Sequence, residues 1–243
     1  MKQKDERTKY IEGLMEKRLG PDDTFWFGCK ACGNCCRNRD DVLLSAYDLY
    51  RIARHLKIKP QEAFKKYCES YIGHTSNLPV VRLKPKPIPN MLLRIPQPHS
   101  SVCPLLSDDG KCSVHKSKPA TCALFPLGRV YDPKEKGVFY VLNDGDCGGK
   151  KELHTVKGWL AYFNLPVHDE AYIKWNEFLT ECMDLMRNKF KKLPDKVKET
   201  LWNGYFLIMY ISYDINEEFL PQLERNIEQY KKLLEITKDK LRP

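Results

Sequence analysis

Four cysteines lie within eight residues near the start of the chain, in the run Cys29-Lys-Ala-Cys32-Gly-Asn-Cys35-Cys36. Four more follow downstream, at Cys103, Cys112, Cys122 and Cys147. Thiolates are soft ligands that suit zinc, copper(I) and iron–sulfur clusters, and a Cys-x2-Cys-x2-Cys spacing presents three of them from one short loop. Because buried structural cysteines scatter singly rather than cluster, this run predicts a metal site.

The composition argues against a disulfide framework. Ten cysteines in 243 residues is well below the density of a small secreted scaffold, and a chain of this length can bury a core without cross-links. Residues 1–17 are charged and contain no apolar signal segment, and the longest apolar stretch, residues 205–211, is too short to cross a bilayer. We therefore expect a cytoplasmic protein, not associated with membranes, whose clustered cysteines are reduced and bind metal.

The formal net charge of +9 raises the question of nucleic-acid binding. Two sites of four thiolates, filled by a divalent zinc or an oxidised four-iron cluster, each carry roughly −2, which leaves about +5. Basic and acidic residues are also intermixed along predicted helices, as between residues 189 and 199. The charge pattern is that of a solvated surface, and it does not favour nucleic acid as a partner.

Helical signals dominate the first quarter of the chain. Apolar residues recur at helical spacing over residues 3–19, and Ser45-Ala-Tyr-Asp48 is a capping box that predicts a helix after it. A second helix is expected from Pro60, with Phe64, Tyr67, Cys68 and Tyr71 along one side. On that aromatic face Cys68 is expected to fill the core rather than bind metal.

Residues 79–98 have a different character, because repeated prolines forbid a helix or a central strand and predict edge strands or a wrapping loop. Asp108-Asp109-Gly110 predicts a tight turn that brings Cys103 and Cys112 near each other. The pattern of residues 128–142 predicts a β-hairpin, which would return Cys147 toward the upstream cysteines.

From about residue 151 onward the pattern is helical, with long apolar stripes separated by Pro194 and a last helix starting at Pro221. Cys182 lies within one of these stripes and is expected to be core. The predicted fold class is mainly α with a small β-hairpin, that is, α+β. We expect residues 1–150 to form a loop-rich, metal-stapled cysteine-cluster domain with N-terminal helices, and residues 151–243 to form a helical layer packed on it as one unit.

The cysteines also stand in a set of spaced motifs. These are Cys29-x2-Cys32-x2-Cys35-Cys36, Cys103-Pro-Leu-Leu, Gly110-Lys-Cys112-Ser-Val and Pro119-x2-Cys122-x2-Phe125-Pro126. From residue 29 to about 147 the chain resembles the CxxCxxCC cysteine-cluster family, often called YkgJ-like, whose members are described as zinc- or iron-chelating proteins. The longer flagellin lysine N-methylases, which are thought to hold an iron–sulfur cluster, belong to it as well. The resemblance implies a cysteine-bound zinc or iron centre, and His115, where many members have Tyr, is a candidate extra ligand.

Three functions from different classes remain open. The first is an iron–sulfur protein, with a [4Fe–4S] cluster that serves redox chemistry or the S-adenosylmethionine-dependent modification of a protein or small molecule. The second is a zinc protein in which four-cysteine sites staple a loop-rich domain for partner binding. The third is a protein that chelates iron or zinc and delivers it. The sequence contains no glycine-rich phosphate loop and no nucleophile–base pair, so an enzymatic activity and its substrate stay open.

Two details favour an iron–sulfur centre over zinc and a single location for the eight cysteines. The downstream half lacks a Cys-x2-Cys knuckle, whereas Cys103 is followed by proline, as remote cluster ligands often are. Adjacent side chains in an extended loop point in opposite directions, so Cys35 and Cys36 are expected to serve two centres that lie close together. We therefore expect Cys29, Cys32, Cys35, Cys36, Cys103, Cys112, Cys122 and Cys147 to converge as ligands.

Overall fold

The computed structural model describes residues 6–29, 33–37, 42–87, 101–143, 148–188 and 193–239. It has a mixed α+β fold with small sheets, which confirms the predicted class. The helices are α1 (Glu6–Met15), α2 (Ala46–Leu56), α3 (Pro60–Tyr67), α4 (Ala120–Leu124), α5 (Val156–Tyr162), α6 (Glu170–Asn188), α7 (Asp195–Phe206) and α8 (Phe219–Asp239). The strands are β1 (Thr24–Gly28), β2 (Leu43–Leu44), β3 (Cys68–Ile72), β4 (Pro79–Leu83), β5 (Lys86–Pro87), β6 (Ser101–Val102), β7 (Leu127–Asp132), β8 (Gly137–Leu142) and β9 (Gly149–Thr155).

The proline-rich region contains a central strand, which corrects the prediction of edge strands or a loop. In the three-stranded antiparallel sheet the order is β2-β4-β3, so β4 pairs on both sides. Pro79 is the first residue of β4 and Pro85 follows its end, so neither proline interrupts the pairing of Val80 to Leu83. The predicted extended segment 91–95 lies outside the described residues.

Two further antiparallel pairs lie near the cysteines. The predicted hairpin is confirmed, because β7 pairs with β8 from Leu127↔Leu142 to Asp132↔Gly137. Strand β1 pairs with β9, with Trp26 opposite Leu153. β9 falls where a helical pattern was expected, and its residues Gly149–Thr155 carry no long apolar run that would have marked a strand.

Three helix boundaries differ from the predictions. Leu19 does not continue α1, because its N–H donates to the carbonyl of Tyr140 at 2.7 Å. α3 ends at Tyr67, so Cys68 and Tyr71 belong to β3 rather than to a helical face. α8 begins at Phe219, two residues before Pro221, which leaves the proline within its first turn.

Two clusters of buried side chains form the interior. The larger combines α2 and β4 with α6, α7 and α8, and so contains residues from both sides of position 150. The smaller joins β1, α4, β8 and α5. Cys68 is 5% and Cys182 is 1% exposed within the larger cluster, which confirms their burial in the core. The division into two domains at residue 150 stays a prediction.

An ion pair inside the protein joins β7 to α6. Arg129 Nη1 binds Asp169 Oδ2, with side chains only 5% and 2% exposed. The other carboxylate oxygen of Asp169 accepts from the N–H of Tyr172 at 2.9 Å, in the first turn of α6. None of the helices in the described parts of the chain is long and apolar enough to cross a membrane.

Candidate metal centre

The upstream cysteine run continues directly from β1. Cys29 follows the strand and its side chain is exposed, and residues Asn34–Cys36 form a single 3₁₀ turn in which the N–H of Cys36 donates to Gly33 at 2.9 Å. Gly33 has φ +69°, and a Cβ there would lie 3.1 Å from the carbonyl oxygen of Gly110. Glycine is therefore required both for the left-handed conformation and for the close approach of the downstream turn.

Cys35 and Cys36 share one side of the loop, which corrects the expectation that their side chains diverge. Their Sγ atoms are 3.9 Å apart, within sulfur hydrogen-bond distance. The expectation assumed an extended loop, whereas a 3₁₀ turn rotates successive side chains by about 120° rather than 180°. Two neighbouring sulfurs can thus face one centre.

A backbone contact brings the two halves of the motif together. The N–H of Cys103 donates to the carbonyl oxygen of Cys36 at 2.7 Å, and Arg37 pairs with Val102 in an isolated antiparallel bridge. The segment that precedes Cys103 therefore runs alongside the segment that follows Cys36.

The predicted turn at residues 108–110 is confirmed. Gly110 has φ +78°, and its N–H donates to the carbonyl oxygen of Ser107 at 2.9 Å. The N–H of Ser107 in turn donates to the carbonyl oxygen of Lys111 at 2.8 Å. Beyond the turn Cys112 pairs with Leu106 in an antiparallel bridge. The turn thus returns Cys112 to the neighbourhood of Cys103.

The short helix α4 supplies Cys122. Its first residue, Ala120, donates its backbone N–H to Oδ1 of Asp48 at 2.7 Å. Asp48 is also the acidic member of the capping box predicted from the sequence, since Oδ2 accepts from the N–H of Ser45 at 2.8 Å and the Ser45 hydroxyl accepts from the Asp48 N–H. One buried carboxylate therefore fixes the start of α2 to the start of α4.

These elements enclose one small cavity with sulfurs from both halves of the motif. Its lining comprises Cys35, Cys36, Val42, Leu83, Pro85, Cys103, Pro104 and Cys122. Cys103, Cys112 and Cys122 also pack against the larger core. The described structure thus brings five of the eight predicted ligands into one region.

The thiol pKa values show which sulfurs interact. A hydrogen bond from Cys36 lowers the pKa of Cys103 below its ordinary value, although burial acts the other way. The same bond raises the pKa of Cys36 to about 11, and a bond to Cys36 together with burial raises the pKa of Cys35. Burial raises the pKa of Cys112. The Cys35, Cys36 and Cys103 thiols therefore form a hydrogen-bonded chain that joins the two halves.

Of the three other predicted ligands, the structure describes Cys29, whose side chain is exposed. Cys32 and Cys147 lie outside the described residues. Gly148, the residue after Cys147, packs so closely on the ring of Phe27 that a Cβ could not fit. Within the described ranges, no three His, Cys, Asp or Glu side chains already have the arrangement of a preformed metal site.

Histidines near the cysteines have aromatic surroundings. The ring of His115 lies 5.8 Å from that of Phe163, and partial burial together with Lys118 and Lys116 lowers the pKa of His115. His154 packs 4.9 Å from Trp159 and its Nε2 lies 3.0 Å from the carbonyl oxygen of Phe27. The role of His115 as an extra ligand stays a prediction.

The donor set fits a thiophilic metal. In a tetrahedral site with metal–sulfur bonds of about 2.3 Å, neighbouring sulfurs are about 3.8 Å apart, and the Cys35–Cys36 separation of 3.9 Å matches this edge. Zinc and iron–sulfur clusters both accept such a set of thiolates.

One part of the chain resembles a known protein family. Neither curated proteins nor solved structures gave a match. A family model does match over residues 28–148, the range that contains all eight clustered cysteines, and its description is "Putative zinc- or iron-chelating domain". The segment 28–148 of this protein therefore belongs to the CxxCxxCC family.

Proposed function

We propose that this protein binds a polynuclear iron–sulfur centre through cysteine thiolates beside its larger buried cluster. The observation that carries the proposal is the meeting of Cys35 and Cys36 with Cys103, Cys112 and Cys122. One tetrahedral zinc uses four ligands, so five thiols in one region, with three more in the motif, favour a centre of more than one metal ion. The family description supports zinc or iron at this site.

The position of the cysteines supports a redox role for the centre. Cys103, Cys112 and Cys122 are partly buried against the core, whereas Cys29 and Cys35 are exposed. A cluster held on one side by the core and open on the other can exchange electrons at the surface, and its potential depends on this exposure and on hydrogen bonds to sulfur. An S-adenosylmethionine-dependent protein modification would be one use of such an electron.

A zinc centre that cross-links loops is the second candidate. The observation in its favour is that the turn Asn34–Cys36 and the segment from Cys103 to Cys112 have little regular structure and are joined mainly at the cysteines. A structural zinc would hold these loops and contribute directly to folding. Delivery of the bound metal to another protein would need the same exposed thiols.

Purification without oxygen distinguishes these candidates. The iron–sulfur proposal predicts brown protein with broad visible absorption, near-equal iron and acid-labile sulfide, and a spectrum bleached reversibly by dithionite. Colourless protein that contains zinc, and that binds no iron and sulfide on anaerobic reconstitution, would contradict the iron–sulfur proposal and support the zinc alternative. The Cys68→Ala variant is the matched control, because it removes a cysteine outside the proposed ligand set.

A further inference from the structure

A basic surface lies beside the candidate metal centre. It is formed by the C-terminal half of α2 and by the turn His115–Ser117 with the lysine after it, and its basic side chains are Arg51, Arg54, His55, His115, Lys116 and Lys118. α2 packs against this turn, and Ser117 Oγ lies 3.5 Å from Nδ1 of His55. The turn lies between Cys112 and Cys122 in the chain, so this basic surface is continuous with the segment that carries both cysteines.

Aromatic rings hold two of the lysines in place. Lys116 Nζ lies 3.8 Å from the ring centroid of Tyr162, and Lys118 Nζ lies 4.4 Å from that of Phe163. A ring face attracts an ammonium group without cancelling its charge. The lysines are therefore positioned, and their charge remains available to a partner.

Arg51 joins the two parts of the basic surface. Its Nη2 donates to the carbonyl oxygens of Lys116 at 3.1 Å and Phe163 at 3.0 Å, and its guanidinium lies 5.6 Å from the ring of Tyr47. The two carbonyl oxygens and the tyrosine ring are neutral partners. They hold the turn against α2 and leave the positive charge uncompensated.

Carboxylates contribute little to this surface in the described part of the chain. Arg54 and Glu218 form an ion pair at 3.7 Å, with side chains 48% and 81% exposed, a geometry in which solvent screens most of the attraction. Asp48, which lies below the surface, uses both oxygens on backbone N–H groups and the Ser45 hydroxyl. The arginines and lysines of the basic surface thus outnumber its carboxylates in the described structure, and the surface carries a net positive charge.

We propose that this basic surface docks an acidic segment of a partner protein. Neutral groups preorganise Arg51, Lys116 and Lys118, which lowers the entropy lost when these cations bind. Tyr162, 53% exposed, offers a rigid aromatic contact beside them. Opposite charge would then steer the partner to the cysteine region. The consequence that the partner meets a metal centre rests on the proposed function, whereas binding of the acidic segment does not.

An alternative is that Lys118 and its neighbours only balance the negative charge of a thiolate-bound metal within the same molecule. The two ideas differ for Lys116, whose exposed side chain lies over Tyr162 on α5. Docking requires Lys116 for binding in trans, and internal compensation requires the lysines only for metal retention.

Fluorescence anisotropy with a labelled oligo-glutamate peptide tests the docking proposal, with an oligo-glutamine peptide of the same length as reference. The full-length, metal-loaded protein is expected to bind the glutamate peptide, less tightly as salt is raised, and to bind the glutamine peptide far more weakly. Lys116→Gln and the double variant Lys116→Gln/Lys118→Gln should weaken binding progressively, the double variant by roughly three- to thirty-fold, with unchanged metal content in Lys116→Gln.

The matched control is Lys231→Gln/Lys232→Gln on α8, which removes the same charge elsewhere, Lys231 being paired with Glu181 at 3.0 Å. It should bind like the wild type. Equal weakening in the control, or no binding of the glutamate peptide, would overturn the proposal. Loss of metal in the double variant without loss of peptide binding would favour internal charge compensation, and tighter binding of single-stranded oligonucleotide than of peptide would assign the surface to nucleic acid. Peptide binding by protein that holds no metal would leave docking standing while the proposed function fails.

Discussion

The backbone N–H of Cys103 donates to the carbonyl oxygen of Cys36 at 2.7 Å, and the thiols of the same two residues share a hydrogen bond. Residues 67 positions apart in the sequence are thus bonded through both main chain and side chain. This relationship ties the upstream cysteine run to the downstream one and makes a single centre structurally possible.

The first prediction concerns the order in which these thiols ionise in metal-free protein. Because a bond from Cys36 lowers the pKa of Cys103, the Cys103 thiolate forms at lower pH than that of Cys36, whose pKa is about 11. Alkylation followed by mass spectrometry across pH should therefore label Cys103 before Cys36. Cys36→Ala removes the bond and should move the labelling midpoint of Cys103 to higher pH, whereas an unchanged midpoint would show that the bond does not control it.

The second prediction concerns the two cysteines assigned to the core. Cys68→Ala and Cys182→Ala each remove a buried sulfur, and the resulting small cavity should cost on the order of 1–2 kcal/mol of unfolding free energy. Burial raises the pKa of both thiols to about 12, so they should resist alkylation in the folded protein. Metal content should match the wild type, and a decrease in either variant would add that cysteine to the ligand set.

The third prediction concerns Asp48, which accepts from Ser45 and from the N–H of Ala120. Asp48→Asn turns one acceptor oxygen into a donor, so one N–H must face an amide NH₂, and we expect a loss of about 1–3 kcal/mol in unfolding free energy. Denaturant unfolding measures this loss.

The control for that variant is Asp22→Asn, which weakens an ion pair with Lys157 whose side chains are 80% and 57% exposed. An exposed pair contributes about 0–1 kcal/mol, so its loss should be small. If the two asparagine variants were equally stable, Asp48 would not be the link between α2 and α4 that the structure indicates.

The fourth prediction concerns metal removal. The turn Asn34–Cys36 and residues 103–119 contain only tight turns, single 3₁₀ turns and isolated bridges, whereas α6 and α8 are long helices in the larger core. Chelation should therefore speed hydrogen exchange in the cysteine segments and lower the melting temperature, while the amides in the middle of α6 and α8 keep their protection. Identical exchange in both segments before and after chelation would mean that the metal does not stabilise them.

Local chemistry predicted several of these features. Ser45 and Asp48 form the expected capping box because both partners lie within one turn, and the hairpin from Leu127 to Leu142 follows from alternation around a short turn. The turn at Gly110 was likewise predictable, because it depends only on the residues that form it. The second role of Asp48, at Ala120, could not be predicted in this way because it depends on a residue 72 positions away.

Other features were missed because tertiary pairing overrode local pattern. Cys68 was placed on a helical face, yet the chain leaves α3 at Tyr67 because residues 68–72 pair with β4. Cys35 and Cys36 were expected to diverge because the loop was assumed to be extended, whereas Gly33 and the approach of Gly110 hold it in a 3₁₀ turn. The contact of Lys118 with the ring of Phe163 could not be predicted, because the two residues are distant in the sequence.

The central claim is that the upstream and downstream cysteines serve one centre. The most direct measurement is the metal content per chain of Cys36→Ser, Cys122→Ser and the double variant, after identical anaerobic reconstitution, with Cys68→Ser as control. A shared centre predicts that each single variant loses most of the metal and that the double variant loses scarcely more, because ligands of one site act as a unit. Single variants that each lose a separate part of the metal, with losses that add in the double variant, would contradict a shared centre.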